Sequence, residues 1–292
     1  MIGELAALTA AATWAGSAVL YRRALPSYGA RTANLYKTTT GALCFWLTLL
    51  LVPGGPASAH WHALPFFCLC LSGVVGLTIG DTLYFQAMQR LGIHRTILLY
   101  SLSPVFTLVL GYAFLDEHLG AGKLAGAAIV ITGIYLVLNE TAPSDRTPSL
   151  SAAGTLAAAG AALCQSVGIL LAKRGLLDVG ALAGSAVRLS VASLALILLT
   201  LLRTGGIPRQ LLRAAAHRSL LPAMLVGTYV GVFLMLFAIE RGDAGIAGVL
   251  LATTPIFSLA LQVLVDGVWP SLRSGAGSTL AVAGTAILLL GR

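Results

Sequence analysis

Residues 65–89 read PFFCLCLSGVVGLTIGDTLYFQAMQ, an unbroken run of 25 positions in which Asp81 is the one charged side chain. At 1.5 Å of rise per residue, a helix of this length crosses a hydrocarbon core about 30 Å thick. A barrel strand would alternate polar and apolar residues over about ten positions. Here Leu, Val, Ile and Gly follow one another with no such alternation. The run predicts a transmembrane helix.

The rest of the chain repeats that pattern. Apolar segments lie near 3–21, 32–52, 65–89, 95–115, 120–138, 152–172, 182–202, 219–240, 244–265 and 273–290. Of the 292 residues 58% are hydrophobic and 10% charged, and the mean hydropathy is +0.91. A soluble domain carries about 25% charged residues, so this chain has too few charges to clothe its surface in water. The lipid bilayer is its expected partner. The net charge of +8 comes from basic residues scattered in ones and twos between apolar runs. That is the placement of membrane-flanking charges, not of a nucleic-acid patch.

The first run begins beside Met1, behind Glu4 and without a cleavage site, so no signal peptide is expected. Cys44, Cys68, Cys70 and Cys164 have no disulfide or metal spacing and read as small buried hydrophobes. His60, His62, His94, His118 and His217 match no metal site, so no metal and no cofactor are expected. Trp61 reads as an interfacial anchor.

Three connectors stand out: Pro53-Gly54-Gly55-Pro56, the polar linker 140–151 (ETAPSDRTPSLS), and the basic loop 203–218 with an amphipathic stretch over 208–217. The linker divides five segments from five. An ungapped shift of 151 residues superposes Gly76 on Gly227, Gly80 on Gly231, Ala87 on Ala238 and Arg90 on Arg241. It also superposes Pro104 on Pro255, Phe106 on Phe257, Gly126 on Gly277, Gly133 on Gly284, Lys37 on Arg188, and Arg22-Arg23 on Lys173-Arg174. Because five is odd, the second copy enters the membrane inverted, as in many secondary transporters. The expectation is an all-α membrane protein of ten transmembrane helices in two inverted five-helix repeats, 1–139 and 152–292, joined by 140–151.

Read in order, these motifs resemble the EamA-type permeases of the drug/metabolite transporter superfamily over nearly the whole chain. They are Trp14-Ala15-Gly16 in the first helix and Gly76 to Gly80 running into Ala87 to Gly92 in the third. Ser101-Leu-Ser-Pro-Val-Phe106 follows in the fourth, then Glu117 at its end, and Gly126 to Gly133 in the fifth. The second half departs from the pattern: Gln165 stands at the position of Trp14, and Val268 at that of Glu117, with Asp266 nearby. The resemblance implies ten helices and the export or exchange of amino acids or similar small molecules across a bacterial inner or plasma membrane.

A charge inside a membrane helix is costly and marks a functional candidate. Away from helix ends these are Lys37, Asp81 and Arg188. Lys37 and Asp81 fall at similar depth on one side, where they can pair. Asp81 is then a protonation or substrate-ammonium site biased by Lys37; the alternatives are a purely structural ion pair, or a Lys37 that snorkels to the headgroups. Arg188 mirrors Lys37, but the mate of Asp81 is Val232, so Arg188 either snorkels or meets a substrate carboxylate. Trp14, Tyr84, Tyr100, Gln165 and Tyr229 offer aromatic and polar groups along the same pathway. Pro104 and Pro255 free the carbonyls of Tyr100 and Leu251 and read as hinges or packing kinks. Gly76, Gly80, Gly227 and Gly231 form GxxxG pairs for close helix packing.

The function expected is carriage of a small molecule, driven by a proton or another gradient or by none. The competing classes are an intramembrane enzyme, which lacks a visible cluster of acid, His or Ser groups, and a receptor or scaffold, which leaves the duplication unexplained. Of the 18 Lys and Arg residues, twelve fall on one side and six on the other, which places both termini outside the cytoplasm. The resemblance implies the reverse. Substrate, direction and oligomeric state are not encoded in any motif.

Overall fold

The computed structural model describes residues 2–53, 55, 62–115, 120–138, 151–204, 219–241, 250–267 and 269–290. Most of the linker 140–151, the amphipathic stretch 208–217, and His60, Trp61, Glu117, His118 and Val268 lie outside them. The described chain is helical and contains no strand. Helix α1 spans Ile2–Leu51 and α2 spans Ala63–Ser72, continuing through a π-helical stretch, Gly73–Gly80, into Asp81–Leu91. Then come α3 (Ile93–Tyr100), α4 (Ser103–Leu115), α5 (Ala121–Leu138), α6 (Ala152–Val179) and α7 (Ala181–Thr204). Helix α8 joins Leu220–Ala223, a second π-helical stretch Met224–Val230, and Gly231–Arg241. Helices α9 (Thr254–Asp266) and α10 (Leu272–Leu290) complete the set.

Five stretches are long and apolar enough to cross a membrane: Ala63–Leu91, Ile93–Leu110, Ala152–Leu176, Ala181–Arg203 and Leu272–Leu290. Shorter apolar helices, including Ala121–Val137, Leu220–Met235 and Thr254–Val265, pack among them. Large apolar side chains such as Leu43, Leu51, Phe67, Leu156, Leu202 and Leu264 are exposed, as a lipid-facing surface requires. The protein is a multi-pass integral membrane protein.

Two connectors expected from the sequence are shorter than predicted. In place of a loop over residues 22–31, α1 stays helical on both sides of Gly29, whose φ of 73° and ψ of 163° break the helix at one residue. Residues from both sides, Tyr21 and Leu25 with Ala33 and Tyr36, share one core cluster, so the two segments pack together. Gly180 does the same between α6 and α7, at φ 76° and ψ 158°. A Cβ is strained at these angles, and a glycine turn needs no polar loop, which is why hydropathy overestimated both gaps. The cysteine reading also needs adjustment: all four thiols are free, but Cys68 alone is buried and the others are partly exposed.

Helices in lipid gain little from hiding apolar surface and associate through close packing. The tightest contact joins α5 to α10. A Cβ on Gly126 would lie 2.5 Å from the backbone nitrogen of Leu288 and 2.7 Å from the Gly284 oxygen. On Gly133 it would lie 2.5 Å from the Gly277 oxygen. The obstacles are backbone atoms, which cannot rotate away. Between α2 and α6, a Cβ on Gly76 would lie 3.5 Å from the Gly168 Cα, and one on Gly80 3.0 Å from the Cys164 Cβ. Between α8 and α1, Gly227 accommodates Ser17, and Gly231 accommodates Trp14 and Thr13.

Gly133→Val is therefore expected to destabilise the detergent-solubilised protein by about 2 kcal/mol or more through overpacking. Gly275→Ala, where nothing lies within 4 Å of the added Cβ, serves as the neutral control in thermal unfolding.

Candidate functional site

The helices enclose a cavity of about 700 Å³. Helix α1 contributes Trp14, Ser17, Tyr21 and Lys37, and α2 contributes Asp81, Tyr84 and Phe85. Tyr100, Ser103 and Pro104 line it from α3 and α4, Gln165 from α6, and Ser185 and Arg188 from α7. Thr228, Val232 and Pro255 close the wall from α8 and α9. One end reaches Lys123 in the first turn of α5 and Leu289 in the last turn of α10. The other ends on Tyr21 and Phe85, whose rings are 4.7 Å apart in a buried cluster with Leu25, Met88 and Leu220.

Lys37 and Asp81 form an ion pair, with side chains 10% and 15% exposed. Their depth estimates predicted this partnership, and the low exposure rules out a Lys37 that snorkels. The Lys37 ammonium also lies 5.7 Å from the Phe85 ring centroid. Tyr84 stacks edge-on against Tyr100 at 5.1 Å, making one wall of the cavity aromatic.

Arg188 has no such partner. No carboxylate of the described residues lies within 4.0 Å of it, and its Nε is buried without a hydrogen bond. The side chain passes over Gly76, whose added Cβ would sit 3.7 Å from an Arg188 terminal nitrogen. It faces the cavity rather than snorkelling out.

Trp14 presents its ring to the cavity while its indole N–H donates to the Gly227 carbonyl at 3.0 Å. Gly227 lies in the π-helical stretch of α8. The matching stretch of α2 is held by Asn34, fully buried, whose Nδ2 donates to the Leu77 carbonyl at 2.8 Å and to Thr82 Oγ1 at 2.9 Å. π-Helical stretches are rare and concentrate at functional sites. Sequence reading took these glycines as packing elements only and overlooked Asn34, an uncharged polar residue in an apolar run.

Tyr229 is the candidate that the structure does not bring to the cavity. Its ring packs edge-on against Phe45 at 5.3 Å and its hydroxyl hydrogen-bonds Thr48. Thr228, its neighbour in the π-helical stretch, lines the cavity instead. The prolines also sit differently from mid-helix kinks. Ser101 and Leu102 form a turn before Pro104, and Ala252 and Thr253 a turn before Pro255, so each proline opens a new helix. Thr254 Oγ1 donates to the freed Leu251 carbonyl at 2.7 Å.

Of the four packing glycines, Gly227 alone reaches the cavity wall. Residues that the sequence did not single out include Lys123, Ser185 and Thr228 on the wall. His94 lies outside it: Nδ1 is 3.1 Å from Ser258 Oγ and Nε2 is 3.0 Å from Ser274 Oγ, tying α3 to α9 and α10. Among the described residues no three His, Cys, Asp or Glu side chains gather as metal ligands would.

The model of the EamA-like transporter family matches residues 1–139 and 152–290. The chain belongs to that family. An uncharacterized transporter of Archaeoglobus fulgidus is 27% identical over 138 residues, 47% of this chain and 48% of that protein. A Streptantibioticus cattleyicolor protein named "Probable terminal-alkyne amino-acid exporter" is 26% identical over 125 residues, 43% of this chain and 41% of that one. The matches thus span under half the length of each relative. A crystal structure of another protein, 20% identical, shares the fold with a TM-score of 0.69 over 99% of this chain and 98% of that one.

Removing one member of a buried ion pair strands the other, at a cost of about 3 kcal/mol. Asp81→Asn is expected to lower thermal stability by that amount, and the double replacement Lys37→Met with Asp81→Leu to recover most of it. Differential scanning fluorimetry on the purified protein measures both.

Proposed function

We propose that this chain is a secondary transporter that carries small polar metabolites, amino acids or related compounds, across the membrane by alternating access. The observation that carries the reading is the cavity, which holds charged and aromatic groups among the helices and is stopped at one end by the Tyr21–Phe85 cluster. A cavity that runs toward one end of the helices and is stopped at the other supports one half of an alternating cycle.

The other half follows from two inverted five-helix repeats, 1–139 and 152–292, flanking the linker 140–151 and together giving ten crossings. Their support is a set of contacts that recur when each residue is exchanged for its mate 151 positions away. Gly126 against Gly284 becomes Gly277 against Gly133. Gly76 against Gly168 becomes Gly227 against Ser17, and Gly80 against Cys164 becomes Gly231 against Thr13. The single-residue breaks at Gly29 and Gly180 are also mates, and the two π-helical stretches begin at mates Gly73 and Met224. Such exchange is what a twofold axis in the membrane plane produces, and swapping the conformations of the two halves would open the opposite face.

In this reading Lys123 and Leu289 lie toward the face that carries both termini, and the cavity extends toward that side. Pro104 and Pro255, each following a turn, are the hinges. Asp81, biased by Lys37, is the proton site, and Trp14, Tyr84, Tyr100, Gln165 and Arg188 line the path. The exporter name carried by the Streptantibioticus relative favours amino-acid cargo.

Proteoliposomes preloaded with an unlabelled amino-acid panel are expected to accumulate the matching labelled compound by counterflow. An enzyme or scaffold would give none. Pro104→Ala combined with Pro255→Ala is expected to slow exchange several-fold, and an unchanged rate removes the hinge assignment. Asp81→Asn is expected to abolish acceleration by an imposed pH gradient while exchange at symmetric pH persists; normal pH dependence would eliminate the proton role.

A further inference from the structure

The 151-residue exchange pairs Lys37 with Arg188, yet the two cations stand in opposite circumstances. Lys37 has Asp81 as its counter-ion. The mate of Asp81 is Val232, which lines the cavity and packs in a cluster with Ala186 and Leu189 of α7. The place occupied by a carboxylate beside Lys37 is therefore occupied by an isopropyl group and cavity space beside Arg188. Asp81 acts on Arg188 only at a distance, without contact; a guanidinium held out of water with no carboxylate against it is costly, and burial leaves its Nε without a partner.

We propose that Arg188 is the seat of a carboxylate on the carried molecule, which supplies to Arg188 what Asp81 supplies to Lys37. The inference rests on the transporter reading above. A planar guanidinium forks onto a carboxylate through parallel N–H···O bonds, and a single buried cation matches that group's single charge. The other cation of the wall, Lys123, lies at the cavity's end. Among the described lining residues Lys37, Lys123 and Arg188 face one acid, Asp81, already in its ion pair. The described part of the wall is thus net positive and holds no free acid for an ammonium group. The carboxylate is the recognised feature and the amine is dispensable.

The test uses three ligands of similar size: leucine, N-acetyl-leucine, which keeps only the negative charge, and leucinamide, which keeps only the positive one. Isothermal titration calorimetry on the detergent-solubilised native protein should show leucine and N-acetyl-leucine binding at least about tenfold more tightly than leucinamide, the contribution of one charge-assisted pair. Arg188→Gln should erase the preference and Arg188→Lys should retain part of it. Val232→Asp, which supplies an internal carboxylate, should weaken N-acetyl-leucine without weakening leucinamide. Inorganic phosphate should compete poorly.

Equal binding of N-acetyl-leucine and leucinamide to the native protein overturns the proposal, as does a preference that survives Arg188→Gln, effective competition by phosphate, or no binding of any ligand up to ~10 mM. If Arg188→Gln does not fold, the order of ligands on the native chain decides by itself. Counterflow of any panel compound by a protein that lacks the carboxylate preference leaves the transporter reading standing while this one falls.

Discussion

A backbone in hydrocarbon has no water to answer its peptide groups, so every departure from regular helix must be met by a partner from the protein itself. This constraint organises the structure. The π-helical stretch of α2 is met by Asn34 at the Leu77 carbonyl, and that of α8 by Trp14 at the Gly227 carbonyl. The carbonyl freed by Pro255 is met by Thr254. These partners surround the cavity or its supporting wall, and the irregular backbone is tolerated there because side chains converge on it. Glycine makes the convergence possible: Trp14 reaches its acceptor because Gly231 has no Cβ in its way.

The ionic arrangement follows the same logic with larger energies. Lys37 and Asp81 neutralise each other at low exposure, and together with Phe85 they form a compact floor for the cavity. Across the wall, Arg188 keeps its charge uncompensated by any carboxylate within 4.0 Å among the described residues. Lys37 and Arg188, which fall on each other under the 151-residue shift, thus differ in electrostatics, and the same shift sets Val232 where Asp81 stands.

Much of this was readable from residue order. Long apolar runs announced the membrane helices, and depth along the runs placed Lys37 beside Asp81, because a fixed rise per residue turns sequence position into height. The family motifs around Gly76, Pro104 and Gly126 carried the class of protein. What escaped had local causes. The break at Gly29 depends on a backbone angle that hydropathy does not encode. Tyr229 was assigned to the pathway as an aromatic and polar group within an apolar run, and its ring packs on Phe45 instead, a choice of face that residue type alone does not encode. Asn34 and His94 earn their places through contacts with distant segments, which no window along the chain can detect.

The one-residue break at Gly29 also bears on how the chain is made. Residues 2–28 and 30–51 are joined with no intervening polar loop, and their side chains share the cluster around Tyr21, Leu25 and Tyr36. A helix pair of this kind has nothing between its arms long enough to pause in the aqueous phase. With so short a connection, insertion of one arm draws the other close behind it, and the break at Gly180 sets α6 and α7 in the same relation.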